Sequence, residues 1–294
     1  MHLLITDSGV GGLSVCAFAE RFLRSHGVKE PVKLTYVNAS PENDFGYNSM
    51  ASRREKIENF DRFLGIVDTT YSPDQIYIAC NTLSVIFHET DFSNRSDLSV
   101  EGIVETGVKR ILQKLEHSAR MNVVVFGTDT TIEENTYARL LEHNGIARES
   151  IISQACPSLA DTISEDRQGL SAQRKIEKYV KEAIEKSTDK EADYLVYLAC
   201  THYGYRKDYF GQAFRGTGHA IDVLNPNEFV AEEILTGIIS ESTENRVESA
   251  VDVEFVSRYQ IPETALETIT FFLEEISPET VRAFTHYTHA PDLF

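Results

Sequence analysis

The sequence predicts an α/β protein of two similar α/β domains with mainly parallel sheets, pseudo-symmetric through internal duplication, with the active site in the interdomain cleft. Three observations carry that prediction. First, Gln75-Ile-Tyr-Ile-Ala-Cys-Asn-Thr and Tyr194-Leu-Val-Tyr-Leu-Ala-Cys-Thr are nearly unbroken apolar runs that both end in Ala-Cys. Such runs, rich in β-branched and aromatic residues, mark strands buried on both faces of a parallel sheet. Second, Cys80 and Cys200 lie 120 positions apart, and the same offset lays Leu3-Leu-Ile-Thr-Asp-Ser-Gly over Val123-Val-Val-Phe-Gly-Thr-Asp, with Ser8 on Thr128. Third, a chain of 294 residues exceeds what one hydrophobic core usually serves, so two domains of roughly 100–150 residues each are the default. The competing reading of the first two observations is two ordinary buried strands that happen to end in cysteine, a residue type among the most buried.

Each element follows in turn. The first strand, residues 3–7, runs into Asp7-Ser-Gly-Val-Gly-Gly and a helix near Leu13. This turn offers backbone N–H groups at a positive helix end, where a carboxylate or phosphate could dock. A dinucleotide fingerprint is not matched there, and no acidic residue closes the next strand, Lys33-Leu-Thr-Tyr-Val-Asn, which argues against a nucleotide cofactor. Ser40-Pro-Glu-Asn-Asp-Phe-Gly-Tyr-Asn-Ser is a polar loop, and a charged helix follows from about Met50 to Val67. The polar stretch 91–97 marks a crossing into the second domain. A helix through Val108, the strand 122–126 and a helix through Tyr137 continue the α/β alternation.

The strand Ile151-Ile-Ser-Gln-Ala ends at Cys156, a structural cysteine because proline and no polar cluster follows it. The helix from Ser171 to about Lys186 carries sparse apolar residues, which places it outside with Glu177, Lys178 and Lys181 solvated. Beyond Cys200 come a strand at 220–224 and a helix at 227–239 opened by Asn225-Pro226. Alternation in Val251-Asp-Val-Glu-Phe-Val-Ser indicates a half-exposed edge strand, and two short helices finish a tail to which no function is assigned. The expected domains are 1–98 plus 209–294, and 99–208.

A formal net charge of −18 opposes binding to nucleic acid or to an anionic membrane surface. Met1-His-Leu-Leu-Ile-Thr-Asp lacks the basic start and long apolar core of a signal peptide, and no later run reaches membrane-spanning length. A cytoplasmic protein with reduced thiols is expected, since four cysteines in a chain this long make no disulfide framework. No compact ligand set near Asp7, Cys80 or Cys200 suggests a metal.

Two cysteines at strand ends, converging on one cleft from similar halves, suit a reaction run in both directions. Inversion at a carbon acid is such a reaction: one group removes a proton from one face and another delivers a proton to the opposite face. A free thiol is only a few per cent ionised at neutral pH, so each needs a neighbouring base. Asp7 and His202 are the available helpers. A Cys-His hydrolase is the competing chemistry. It suits the Cys200 and His202 spacing poorly and leaves Cys80 without a task.

These residues resemble the cofactor-independent glutamate racemases of the aspartate/glutamate racemase superfamily. The likeness rests on Asp7-Ser-Gly-Val-Gly-Gly-Leu-Ser, Ala79-Cys-Asn-Thr, Gly127-Thr-Asp-Thr-Thr and Leu198-Ala-Cys-Thr-His-Tyr, with weaker similarity at Gly102-Ile-Val-Glu and Cys156-Pro. The resemblance implies Cys80 and Cys200 as the catalytic thiols, assisted by Asp7 and His202. It also implies a substrate glutamate held by Ser8, Tyr47, Asn48, Asn81, Thr82, Thr128, Thr131 and Thr201. No cofactor is implied, a homodimer is a common assembly in that family, and the role is D-glutamate supply for peptidoglycan. The pattern departs from the family at Gly46-Tyr47-Asn48, where Pro-Tyr-Gly is usual. It departs again at Ser164, which replaces a glutamate and has Glu165 one place late, and at Gly204, which replaces a proline. The alternatives are an aspartate or related racemase or isomerase, and a catalytically weak regulatory protein that binds an acidic amino acid.

Overall fold

The computed structural model describes residues 1–42, 46–116, 120–236, 239 and 251–294. The polar loop expected at 40–49 therefore includes three residues, 43–45, outside the described ones, as are 237 and 238 of the helix expected at 227–239. Among the described residues ten strands occur in chain order: β1 (His2–Asp7), β2 (Val32–Asn38), β3 (Gln75–Ile78), β4 (Ser99–Gly102), β5 (Met121–Gly127), β6 (Ile151–Ala155), β7 (Asp193–Ala199), β8 (Ile221–Leu224), β9 (Val251–Ser257) and β10 (Thr288–His289). They form a six-stranded sheet in the order β10-β9-β2-β1-β3-β4 and a four-stranded sheet in the order β6-β5-β7-β8. Every pairing between these strands is parallel.

The chain divides into two compact units, one of Met1–Ile103 with Asn227–Phe294 and one of Val104–Pro226. Their topologies match, since β2-β1-β3-β4 has the same strand order as β6-β5-β7-β8. The register matches as well. Leu3 pairs with Gln75 in the first sheet and Val123 with Leu195 in the second, so the offset of 120 seen in the sequence is also the offset of the hydrogen-bonded ladder.

The unit limits differ from the expected 98/99 and 208/209 for local reasons. β4 pairs with β3, which keeps residues 99–102 in the first unit. β8 pairs with β7, which keeps 221–224 in the second. The helix Lys207–Phe214 stays there too, because Phe210 packs on Phe126 and Phe214 on Tyr194, each with ring centroids 5.0 Å apart.

In the first unit, helices cover a β1 that is buried from Leu3 onward. The helix Leu13–His26 packs on β2 and β9. The helix Arg53–Tyr71 starts at an N-cap serine, the Glu55 N–H donating to Ser52 Oγ, and the Glu55 carboxylate reaches back to accept the Ala51 N–H. It sends Phe60, Phe63, Leu64 and Val67 into a core shared with Leu4, Ile76, Ile78 and Cys80. β9 runs along β2 for its whole length, but β10 covers it only at Val256 and Ser257, so most of β9 is an edge, as its alternation indicated. The tail has a structural role: Phe294 packs edge-on against Phe63, with ring centroids 5.1 Å apart.

In the second unit β5 and β7 are buried beyond their first residues. The helix Ile103–Leu115 meets β7 where Gly107 has no side chain; a Cβ there would lie 1.9 Å from Tyr197 Oη. The Tyr137 hydroxyl donates to that same oxygen. The helix Leu170–Lys186 lies outside with Glu177, Lys178 and Lys181 exposed, while Ala172, Ile176, Tyr179, Val180 and Ala183 face inward. Among the described residues no helix is long and apolar enough to cross a membrane.

Candidate active site

Adjacent parallel strands bring their carboxyl ends to one sheet edge, the usual ligand edge of open α/β sheets. In the first unit β1 and β3 are such neighbours, so Asp7 ends one strand and Cys80 follows the other. Both are buried, Asp7 at 2% and Cys80 at 5% exposure. Cys80 caps the helix Asn81–Phe87, its sulfur accepting the Leu83 N–H at 3.4 Å. Ser8 Oγ lies 3.1 Å from the same sulfur. Asn81 and Thr82 open the helix and are buried beside the thiol.

The glycine turn after Ser8 serves this cluster by close packing. A Cβ on Gly12 would stand 2.7 Å from Asp7 Cβ and Oδ2 and 3.0 Å from Ala79 Cβ, so the turn closes over the aspartate only because the side chain is missing. The helix N–H groups expected to receive an anion are partly taken. Leu13 and Ser14 donate theirs to the carbonyls of Val10 and Gly11, both at 3.3 Å.

Burial pushes the Cys80 thiol up to about 12, and the neighbouring Asp7 charge adds to the rise. The Ser8 hydroxyl, the Ser8 N–H and the Leu83 N–H act in the opposite sense by favouring the thiolate. Tyr47 and Asn48 part company. Asn48 is exposed on the short turn Tyr47–Ser49, whereas the Tyr47 ring enters the core edge-on to Phe60, centroids 6.2 Å apart. The Tyr47 hydroxyl is buried there with no hydrogen-bond partner among the described residues.

In the second unit β5 and β7 play the same parts. Thr128, after β5, caps the helix Asp129–Glu133: its Oγ1 accepts the Thr131 N–H at 3.3 Å and lies 3.1 Å from Thr131 Oγ1. Cys200, after β7, is 7% exposed and opens the turn Thr201–Arg206. Thr201 is buried, and Cys200 Sγ sits 3.9 Å from His202 Nδ1. Burial lowers His202 from 6.5 to about 4, against an opposing pull from Asp161. At neutral pH the ring is therefore uncharged.

Cys156, after β6, is buried, and its thiol is raised well above the ordinary value by burial and by Cys200. Its carbonyl accepts a hydrogen bond from the Tyr203 hydroxyl at 3.3 Å, which ties the third cysteine to the Cys200 turn as a structural element. Sequence reasoning missed two participants. The Leu83 N–H acts through the backbone and leaves no sequence signal. The carboxylate that acts on His202 is Asp161, one turn upstream of the compared positions Ser164 and Glu165 on the helix Leu159–Glu165.

Two topologically matched parallel-sheet units, each ending two adjacent strands in a thiol and a hydroxyl, define the class: an α/β protein with a buried cysteine at the carboxyl edge of each sheet. Proteins of known activity narrow that class. The chain is 27% identical over 245 residues to a glutamate racemase of Chlorobaculum tepidum, spanning 82% of each chain. It is 28% identical over 199 residues to that of Chlorobaculum parvum, spanning 68% of this chain and 66% of the other. Scanned against models of known families, it matches none.

Among solved structures, a glutamate racemase of Bacillus anthracis superposes with a TM-score of 0.69 at 19% identity, covering 94% of both chains. One from Francisella tularensis in complex with D-glutamate gives 0.66 at 20% identity, covering 92% of this chain and 93% of the other. The chain is thus a sequence relative of glutamate racemases and has their fold, as its motifs indicated.

Proposed function

We propose that this protein interconverts L- and D-glutamate without a cofactor, by a two-thiol acid–base mechanism, and supplies D-glutamate for peptidoglycan in the cytoplasm as a homodimer. The observation that carries the reading is the repeated strand end: Cys80 and Cys200 occupy equivalent places in two matching sheets, and each has a titratable neighbour, Asp7 and His202.

One cysteine, ionised by loss of its proton to its helper, removes the α-proton; the S–H bond forms as the C–H bond breaks, and the electron pair stays on carbon. The other thiol then returns a proton to the opposite face. Cys80 removes the proton of D-glutamate and Cys200 that of L-glutamate. Asp7, a carboxylate beside one thiol, and His202, a neutral imidazole beside the other, serve as the proton acceptors for the two opposite directions. Ser8, Asn48, Asn81, Thr82, Thr128, Thr131, Thr201 and the backbone at Tyr47 hold the amino acid.

The test is circular dichroism of L- and D-glutamate, with aspartate alongside, in enzyme free of added cofactor. Cys80→Ala and Cys200→Ala should each abolish racemisation, because inversion needs an acid and a base in one turnover. A glutamate analogue bearing a leaving group next to the α-carbon separates the two roles, since elimination needs one base only. Cys80→Ala should eliminate from the L-form alone and Cys200→Ala from the D-form alone. A single mutant that processes both enantiomers equally overturns the opposed-thiol mechanism, and faster turnover of aspartate overturns the choice of substrate.

A further inference from the structure

The first thiol carries a built environment that the proposed reaction does not by itself require. Polar groups surround Cys80 Sγ: Ser8 Oγ lies 3.1 Å away, the Leu83 N–H donates to the sulfur at 3.4 Å, and the Ser8 N–H also favours the thiolate. Ser8 is held on both sides. The carbonyl before it, of Asp7, accepts the Ala39 N–H at 2.8 Å. The carbonyl after it, of Gly9, accepts the Tyr36 hydroxyl at 2.7 Å. Tyr36 is fully buried and stacks on Phe255 with centroids 5.2 Å apart, so the clamp is anchored in the sheet core.

We propose that Ser8 is a positioning residue for the Cys80 thiolate, donating its hydroxyl hydrogen bond to the sulfur and so offsetting the cost of forming a buried charge there, in addition to any contact it makes with the amino acid. The assignment rests on the racemase reading for its catalytic meaning, but the hydrogen bond itself does not.

The physical need lies in the burial of this thiol. Burial opposes the Cys80 thiolate most, and the Asp7 charge opposes it until that carboxylate has itself taken up a proton. Hydrogen bonds to the charged form are the remaining means of lowering that cost, and bonds to ionised acceptors are roughly twice as strong as neutral ones. In the thiol form either atom of the Ser8–Cys80 pair can donate. In the thiolate form only the serine can, so this bond strengthens as the sulfur ionises. When the thiolate takes a substrate proton, the new S–H bond replaces the broken C–H bond and the serine keeps its own proton.

The experiment measures alkylation of Cys80 by iodoacetamide against pH, without substrate, with peptide mass spectrometry to isolate this cysteine. Loss of one donor that raises the thiol by about one pH unit cuts the thiolate about tenfold below its pKa, and the rise in intrinsic nucleophilicity returns part of that. Ser8→Ala should therefore be alkylated about three- to fourfold more slowly at each such pH. Ser8→Thr should restore the rate, and Tyr36→Phe should slow it in the same direction by less. Racemisation kinetics in each variant should show a kcat loss for the direction beginning at Cys80. An alkylation profile unchanged in both Ser8→Ala and Tyr36→Phe overturns the proposal, as does a rise in KM alone with the profile intact. Absence of racemisation in the unaltered protein overturns the functional reading and leaves the alkylation result to decide the role of Ser8.

Discussion

Replacing Gly12 by alanine isolates one close contact. Gly12 has φ −67° and ψ −7°, a conformation any residue adopts, so alanine adds no backbone strain. Reduced freedom of the unfolded chain even favours it by about 0.4–1 kcal/mol. Against this, the new Cβ would lie 2.7 Å from Asp7 Cβ and Oδ2 and 3.0 Å from Ala79 Cβ. Carbon atoms pack at about 3.5–4.0 Å, so Asp7 or the turn must move by roughly 1 Å.

Asp7 resists, because β1 is hydrogen-bonded on both sides, to β2 and β3. Overpacking of this kind costs about 1–3 kcal/mol, which leaves a net loss of roughly 0–2.5 kcal/mol after the gain from the unfolded state. The corresponding fall in Tm is at most about 10 °C for a chain of this size. With Asp7 in the helper role proposed above, the effect on turnover should be larger, since misplacing such a group by about 1 Å can cost on the order of 100-fold. Racemisation of both glutamate enantiomers by circular dichroism, beside thermal unfolding, gives the comparison. A kcat within twofold of the unaltered protein, with Tm unchanged or raised, would refute the packing account of Gly12.

Three further outcomes are expected. His202 binds a proton less readily folded, at about 4, than unfolded, at 6.5, so the unfolded chain takes up more protons between those values. Stability from this group is complete above pH 6.5 and is lost as pH falls toward 4, at up to about 1.4 kcal/mol per pH unit; denaturation of His202→Asn at pH 7.5 and 5 should show a flatter dependence, and an equal slope would remove His202 as the cause. Tyr47→Phe removes a buried hydroxyl that has no partner among the described residues and should be neutral or stabilising by about 1 kcal/mol, with a destabilisation above that by urea titration contradicting the core position of the ring. Gly107→Ala should destabilise by about 1–3 kcal/mol, because its Cβ would meet Tyr197 Oη at 1.9 Å, and unchanged unfolding would show that the helix shifts freely.

Much of the fold was legible because buried parallel strands are written as short unbroken apolar runs, and a duplicated unit repeats them in register. The runs ending at Asp7, Cys80, Gly127 and Ala199 needed no partner to be recognised. Their offset of 120 positions carried over unchanged into the ladder. Edges were harder. β4 and β10 have four and two residues and little apolar pattern, so their membership follows from what they pair with. The same reason moved 209–226 into the second unit, where Phe210 and Phe214 find Phe126 and Tyr194.

By itself the sequence determined the α/β class, the two thiols at strand ends, their candidate helpers and the likeness to glutamate racemases, since each of these is a property of local pattern and residue type. The tertiary structure decided which neighbours those groups have. It set Ser8 against Cys80 across a separation of 72 residues, closed Gly12 over Asp7, turned Tyr47 into the core and gave His202 the burial that keeps it neutral. The Ser8–Cys80 contact joins distant parts of the chain, and such a hydrogen bond or a desolvated ring exists only once the chain has folded around it.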